Sequence, residues 1–411
     1  MLCVTILVAG CGARSSIGDG VRELDASGSQ DGASDDDVPI VDSAAADARA
    51  DAVDGGLPFP IPSVSRLFVA TNIGIVVYDH PESVGPGTTP STVLNNVSVV
   101  QGPAHSGGRP AFSLAVLGTR LFVGFSAVHT PVLAIFDNAD TASGSVAPSA
   151  QIVSTDVAGD FFWELQSDRT TNTLWAQSPW IYGSGTSLFH SASLMTSNTK
   201  PSAAFSGAPG AQSMRSSFDP ATDRLIQPIY LAGTGLRVWN GASERVGKVP
   251  PTFLLHAGSY EYVAVGNDRL YATTTDATTI HVWSGFSAIT STTPPTLSIA
   301  SGTSGLVRSL SIKNDVLVAT YTTSNSGLVA LYTNASQLVG NSAPTTTMVT
   351  MDGSARRALL GKGDRLYVID AAAPSSGPSA VTIFDHATTA PTFVTSLPFD
   401  SYGVNDIALM E

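Results

Sequence analysis

A short, almost continuously apolar segment recurs along the chain and opens on Arg-Leu in five of its seven copies. The copies are RLFVA at Arg66, RLFVG at Arg120, TLWAQ at Thr173, RLIQP at Arg224, RLYAT at Arg269, VLVAT at Val316 and RLYVI at Arg365. Their leucines, Leu67, Leu121, Leu174, Leu225, Leu270, Leu317 and Leu366, stand 45 to 54 residues apart. A second apolar run follows each copy: IVVYDH, LAIFDN, SLFHSA, LRVWNG, IHVWSG, VALYTN and VTIFDH. A third begins at or close to proline: PSTVL, PSAQI, PSAAF, PPTFL, PPTLS, APTTTM and APTFV. One more precedes the Arg-Leu run, clearest in FSLAVLGTRLFVG, EYVAVGNDRLYAT and RALLGKGDRLYVI, with Gly-Thr, Asn-Asp and Gly-Asp where a tight hairpin turn wants them. Runs such as IVVY and LAIF do not alternate with polar residues, so both faces of each strand are buried.

Four antiparallel strands in about 50 residues, repeated side by side, build the blades of a propeller. The predicted fold is therefore all-β, a single β-propeller of seven four-stranded blades over residues 58–411. The ends agree with this. GLPFPIPSVS, before the first Arg-Leu run, is too proline-rich for an inner strand, whereas the chain finishes on SYGVNDIALME, an inner strand with no hairpin partner after it. Aligned with RRALLGKGDRL, Ile407 takes the place of Leu359. Pairing the C-terminal strand with the first blade closes the ring and removes its exposed edges.

Composition divides the 411 residues further. The formal charge is −13, and residues 12–57 hold eleven acidic side chains against three arginines, leaving −5 for the rest. That balance excludes nucleic acid as a partner, because the chain would repel a phosphate backbone. Residues 12–57, rich in Asp, Ala, Gly and Ser and without an aromatic residue, read as a disordered acidic tether. The run Asp35-Asp36-Asp37 lacks the spaced ligands of a calcium loop and reads as solvated charge.

The first eleven residues, MLCVTILVAGC, resemble a bacterial lipoprotein signal peptide. Val8, Ala9, Gly10 and Cys11 match the lipobox, although no Lys or Arg precedes the apolar run. The resemblance implies cleavage before Cys11, a lipid on its thiol anchoring the chain to a membrane, and an extracytoplasmic address at a bacterial outer membrane or cell surface. With Cys3 removed and Cys11 lipidated, the mature fold would hold neither thiol nor disulfide. The blade consensus, as in Phe136 to Ser149 (FDNADTASGSVAPS), resembles NHL-like and YncE-like extracytoplasmic propellers. That group includes binding modules, lyases and lactone hydrolases, so the likeness implies a fold more than an activity.

Candidate chemistry is sought on the loops that lead into the inner strands and join second to third strands, since these share one end of the channel. Nine residues before the blade leucine stand Glu261, Arg308 and Arg357, with Asn405 as their counterpart on the closing strand and Asp406 beside it. Arginines there suit an anion or carboxylate. The third repeat is rich in aromatics, with Trp163, Trp175, Trp180 and Tyr182; Trp180 and Tyr182 fall in a channel-side loop where flat rings could stack on a sugar or grip a protein, and Trp163 and Trp175 read as packing between blades. His105, His129 and His256 lie in loops of the same end, while His80 and His386 occupy one repeated turn position. No Gly-x-Ser-x-Gly elbow, phosphate loop or dinucleotide fingerprint is present.

These features point first to a monomeric, envelope-anchored binding module for a protein, glycan or small molecule, with no cofactor and no catalysis. The alternative is a metal-dependent enzyme of lactonase or lyase type, with Glu261, Asn405, Asp406 and Asp160 gathered around a divalent cation.

Overall fold

The structure, a computed structural model, describes residues 59–411 except 73, 95–110, 126–131, 145, 154–161, 163, 179–184, 207–211, 214, 231–234, 256–257, 277, 301–304, 324–325, 351–353, 372–378 and 400–402. The compact unit they belong to runs Pro58–Glu411. It contains seven sheets, each built from antiparallel strands in chain order from inner to outer, with Gly247–Val249 added in parallel to the outer edge of blade 3, and together they form the predicted seven-bladed β-propeller. In blade 5, for example, Tyr260–Gly266, Arg269–Thr274, Thr279–Ser284 and Leu297–Ala300 follow one another from channel to rim.

Blade 1 is the exception that closes the ring. Its inner strand is Val404–Met410, paired antiparallel with Arg66–Thr71, so the two ends of the propeller share one sheet. The register differs by one residue from the sequence alignment. Ile407 pairs with Val69, whereas Leu359 pairs with Tyr367 one step nearer the turn, so the counterpart of Ile407 is Ala358 opposite Val368. The cause is the turn of blade 7: five residues separate the paired Leu360 and Leu366, against four between Val265 and Leu270 in blade 5.

The apolar faces pack blade against blade, as sequence runs without alternation require. Leu67, Leu121, Leu174, Leu225, Leu270, Leu317 and Leu366 are all fully buried. Trp175 stacks on Phe218 at 4.6 Å between blades 3 and 4, with Phe205 and Trp239 beside it. Here the packing role expected of Trp175 is what is found.

The Arg-Leu motif itself is an inter-blade staple. The strand that follows each Arg-Leu strand leads into a residue in left-handed conformation, namely His80, Asn138, Ser191, Gly241, Gly285, Asn334 or His386. This turn position accounts for the two histidines and for the Asn and Gly that replace them, since those residues tolerate positive φ best. The next residue's carbonyl then accepts from the arginine of the preceding blade. Arg66 donates to Ala139 O at 2.7 Å, Arg120 to Ala192 O at 3.0 Å, Arg269 to Ala335 O at 3.2 Å and Arg365 to Pro81 O at 2.6 Å. Arg224 reaches Phe286 O in the same way. Blade 3 has Thr173 in place of arginine, and His190 bridges instead to Ser243 O at 2.7 Å. The segment before Arg66 is no strand: Ser63 binds Asp140 through its N–H at 2.9 Å and its hydroxyl at 2.7 Å.

Candidate functional site

The inner strands set the site because a β-bulge recurs near the start of five of them. Two residues face one across the ladder at Phe112-Ser113, Glu261-Tyr262, Arg308-Ser309, Arg356-Arg357 and Asn405-Asp406. A bulge re-aims the side chains around it. The second residue of each pair lies opposite the position three beyond the blade leucine: Ser113 opposite Gly124, Ser309 opposite Thr320, Arg357 opposite Ile369 and Asp406 opposite Ala70. Tyr262 faces Thr273, to whose hydroxyl its N–H donates at 3.0 Å. Blade 3 has Glu164 there, opposite Gln177. In blade 4, where Ser217 pairs with Ile226, Arg215 stands two residues earlier and completes the layer.

Asp406, Ser113, Glu164, Arg215, Tyr262, Ser309 and Arg357 thus form a polar collar with one member per blade. One step deeper the same strands present Ile407, Leu114, Leu165, Ser216, Val263, Leu310 and Ala358, apolar in all blades but the fourth. A cavity of about 240 Å³ lies at this level, lined on its charged side by Glu164, Arg215 and Arg357.

Electrostatics divide the collar into two groups. Glu164 is half-buried as a residue, but its Oε2 is sealed from water and has no hydrogen-bond partner among the described residues. Burial pushes its carboxyl up to about 6, against the pull of Arg215 and Arg357 and with the help of Asp406. Arg357 is ion-paired with Asp406, which is only 1% exposed and also accepts the Leu114 and Ile407 N–H groups at 2.9 Å each. The two carboxylates hold the Arg357 guanidinium more firmly charged in spite of its burial. Across the channel, burial and the neighbouring Glu261 push the Tyr262 phenol up to about 12. Glu261 is itself raised by burial, opposed by the Tyr262 hydroxyl and Arg308.

The residues singled out in the sequence fall into three places. Arg357 and Asp406 meet as partners in the collar. Glu261, Arg308 and Asn405 are the extra residues of their bulges, and the member of that set in blade 7 is Arg356, because the longer turn displaces the count by one. Arg308 donates to Thr322 at 3.3 Å, and Asn405 donates to Asn72 at 3.0 Å and to the Ala111 carbonyl at 2.8 Å. Trp180, Tyr182, His129, His105, His256, Asp160, Trp163 and Cys11 lie outside the described residues.

Glu164, Arg215 and Tyr262 were missed. The blade-3 turn is longer, so counting nine back from Leu174 lands on Leu165, and the short inner strand of blade 4 hides Arg215; a register taken from the ladder would have found both. Of the proposed cation set, Glu261, Asn405 and Asp406 are described and Asp160 is not. Asp406 is committed to Arg357 and two backbone donors, and no group of three His, Cys, Asp or Glu close enough to hold a metal occurs among the described residues.

A ring of seven such blades with a charged collar defines the class as a seven-bladed β-propeller. No family model and no curated protein matches the sequence. Solved structures do match the fold. A Lactobacillus plantarum protein is 10% identical over 85% of this chain and 100% of its own, with a TM-score of 0.59. The periplasmic gluconolactonase of Pseudomonas aeruginosa is 15% identical over 84% of this chain and 99% of its own, with a TM-score of 0.57. A candidate 6-phosphogluconolactonase from Bacteroides uniformis is 12% identical over 84% and 99%, with a TM-score of 0.58. At such identities the likeness establishes the fold.

These neighbours also correct the order of the functional expectations. A binding module without catalysis was placed first and an enzyme second. The fold is shared with solved structures that bear the names gluconolactonase and 6-phosphogluconolactonase, and these favour the enzyme alternative over the binding module.

Proposed function

We propose that the chain is a lactone hydrolase whose site is the collar. The observation that carries this is Glu164, half-buried with an unpartnered, solvent-sealed Oε2, which lines a cavity of about 240 Å³ together with Arg215 and Arg357. With its carboxyl raised to about 6, Glu164 is ionised at neutral pH yet basic enough to take a proton from water. The hydroxide so formed adds to the ring carbonyl, and the developing oxyanion meets the two guanidiniums. The tetrahedral intermediate then expels the ring oxygen. The proton that Glu164 took from water passes to the leaving alkoxide, which restores the Glu164 carboxylate, while Tyr262 stays a phenol with its pKa near 12. Water is consumed, the ester C–O bond breaks, and a hydroxy acid is released.

The test is hydrolysis of a δ-lactone such as gluconolactone, followed by proton release against the spontaneous rate. Glu164→Gln should lose about 10²- to 10⁴-fold in kcat, the usual contribution of a general base. Activity should rise through pH 6 as the carboxylate ionises. A wild-type rate equal to background on every lactone tried sinks the reading.

The lipobox supports an extracytoplasmic lipoprotein anchored at Cys11, with residues 12–57 as tether. Labelling with a lipid precursor, lost in Cys11→Ala, tests the anchor.

A further inference from the structure

Arg357 feels the charge of two carboxylates but is ion-paired with only one. Its guanidinium is held by Asp406, while Glu164, which lines the same cavity, keeps an Oε2 with no hydrogen-bond partner among the described residues. A guanidinium free to move would pair with an unsatisfied buried carboxylate, because such charge-assisted bonds are among the strongest available. Here the guanidinium is ion-paired with Asp406 instead. Asp406 is 1% exposed, it arrives on the ring-closing strand, and it is fixed from three sides: by Arg357 of blade 7, by the Leu114 N–H of blade 2 at 2.9 Å and by its own strand through the Ile407 N–H at 2.9 Å.

We propose that Asp406 is a positioning residue that withholds Arg357 from Glu164, leaving the Glu164 carboxylate unpaired and able to accept a proton. The proposal rests on the reading of Glu164 as the base. It also gives the closing strand a second role, because the contact that joins blades 1, 2 and 7 is the one that arranges the collar.

Among the described residues, the charged and titratable groups that act on Glu164 are Arg215 from blade 4, Arg357 from blade 7 and Asp406 from the closing strand. Tyr262 of blade 5, with Glu261, and Arg308 of blade 6 complete the collar and its bulges across the channel. Neutralising Asp406 removes a negative neighbour of Glu164 and releases Arg357 to pair with it. Both effects favour the ionised carboxylate. Neutralising Arg357 does the opposite. A purely structural role for either residue would lower activity or stability without moving the titration in opposite senses.

The experiment compares Asp406→Asn and Arg357→Gln in the full chain, with two readouts. The first is the acidic midpoint of kcat on gluconolactone. The second needs no activity: the pH dependence of the melting difference between each variant and the same variant carrying Glu164→Gln, which reports the Glu164 titration by linkage. Asp406→Asn should lower the midpoint by about one pH unit and Arg357→Gln should raise it by about as much, the lower end of what an opposite charge at contact produces. Shifts of the same sign, or none, overturn the proposal. Where Asp406→Asn does not fold, the sign of the Arg357→Gln shift decides. If no lactone is turned over but the melting titrations still move apart, the hydrolase reading fails and the control of Glu164 by Asp406 stands.

Discussion

Replacing Glu164 by glutamine should make the protein more stable at pH 8 and leave it unchanged at pH 4. A carboxyl raised from 4.5 to about 6 in the folded chain binds its proton more tightly there than when unfolded. Its contribution to stability is complete below the ordinary value of 4.5 and is lost as pH rises through 6. The difference is worth about 2 kcal/mol at pH 8 and a few tenths at most near pH 4. Glutamine has nearly the same shape and carries no charge to desolvate, so the variant avoids that loss. For a cooperative unit of about 350 residues, an unfolding entropy of about 2.1 cal/mol/K per residue turns about 2 kcal/mol into a rise of about 3 °C in Tm. Calorimetric melts of wild type and Glu164→Gln in matched buffers at pH 4, 6 and 8 measure it. The gain should appear between pH 4 and 8 together with the loss of hydrolysis, as expected where a site is strained for function. A variant that melts lower than wild type at pH 8, or that shifts equally at both extremes, refutes the idea that this carboxylate is held against its preference.

Further outcomes follow from the same contacts. Deleting residues 404–411 removes the inner strand of blade 1 together with Asp406 and should abolish the cooperative melt, whereas deleting residues 12–57 should leave Tm within a degree; equal effects would contradict ring closure through this strand. Arg365→Met breaks the bond to the Pro81 carbonyl and the 2.6 Å ion pair with Asp385, and should cost about 1.5–3 kcal/mol in denaturant unfolding, since the exposed Asp385 can rehydrate. Gly124→Ala places a Cβ against the Ser113 hydroxyl and 2.8 Å from the Phe162 Cβ, so overpacking between blades 2 and 3 should cost about 1–3 kcal/mol by the same assay.

The architecture was legible because it rests on local repetition. Apolar runs without alternation specify strands buried on both faces, tight-turn residues specify hairpins, and an unpaired strand at one terminus meets a missing one at the other. Even the left-handed turn position is visible once YDH, FDN, WNG and YTN are superposed, since His, Asn and Gly are the residues that accept positive φ.

The site was legible only in part. Arg357 and Asp406 were found, but as neighbours of Glu261, Arg308 and Asn405, which the bulges set one residue apart from the collar. A strand alternates its side chains, so one extra residue in a turn or a bulge changes which side chain reaches the collar. Turn length in blades 3 and 7 therefore hid Glu164 and misassigned Arg357, and no count along the chain could correct it. The proton affinity of Glu164 is still further from the sequence. It arises from the exclusion of water and from charges brought by blades 1, 4 and 7, up to 242 residues away at Asp406. Sequence determined the repeating element and how the ring closes, because those follow from short-range pattern and from the need to cover strand edges. The tertiary structure alone decided which charges meet and which carboxylate is left without a partner, because desolvation and long-range pairing exist only once the blades are packed.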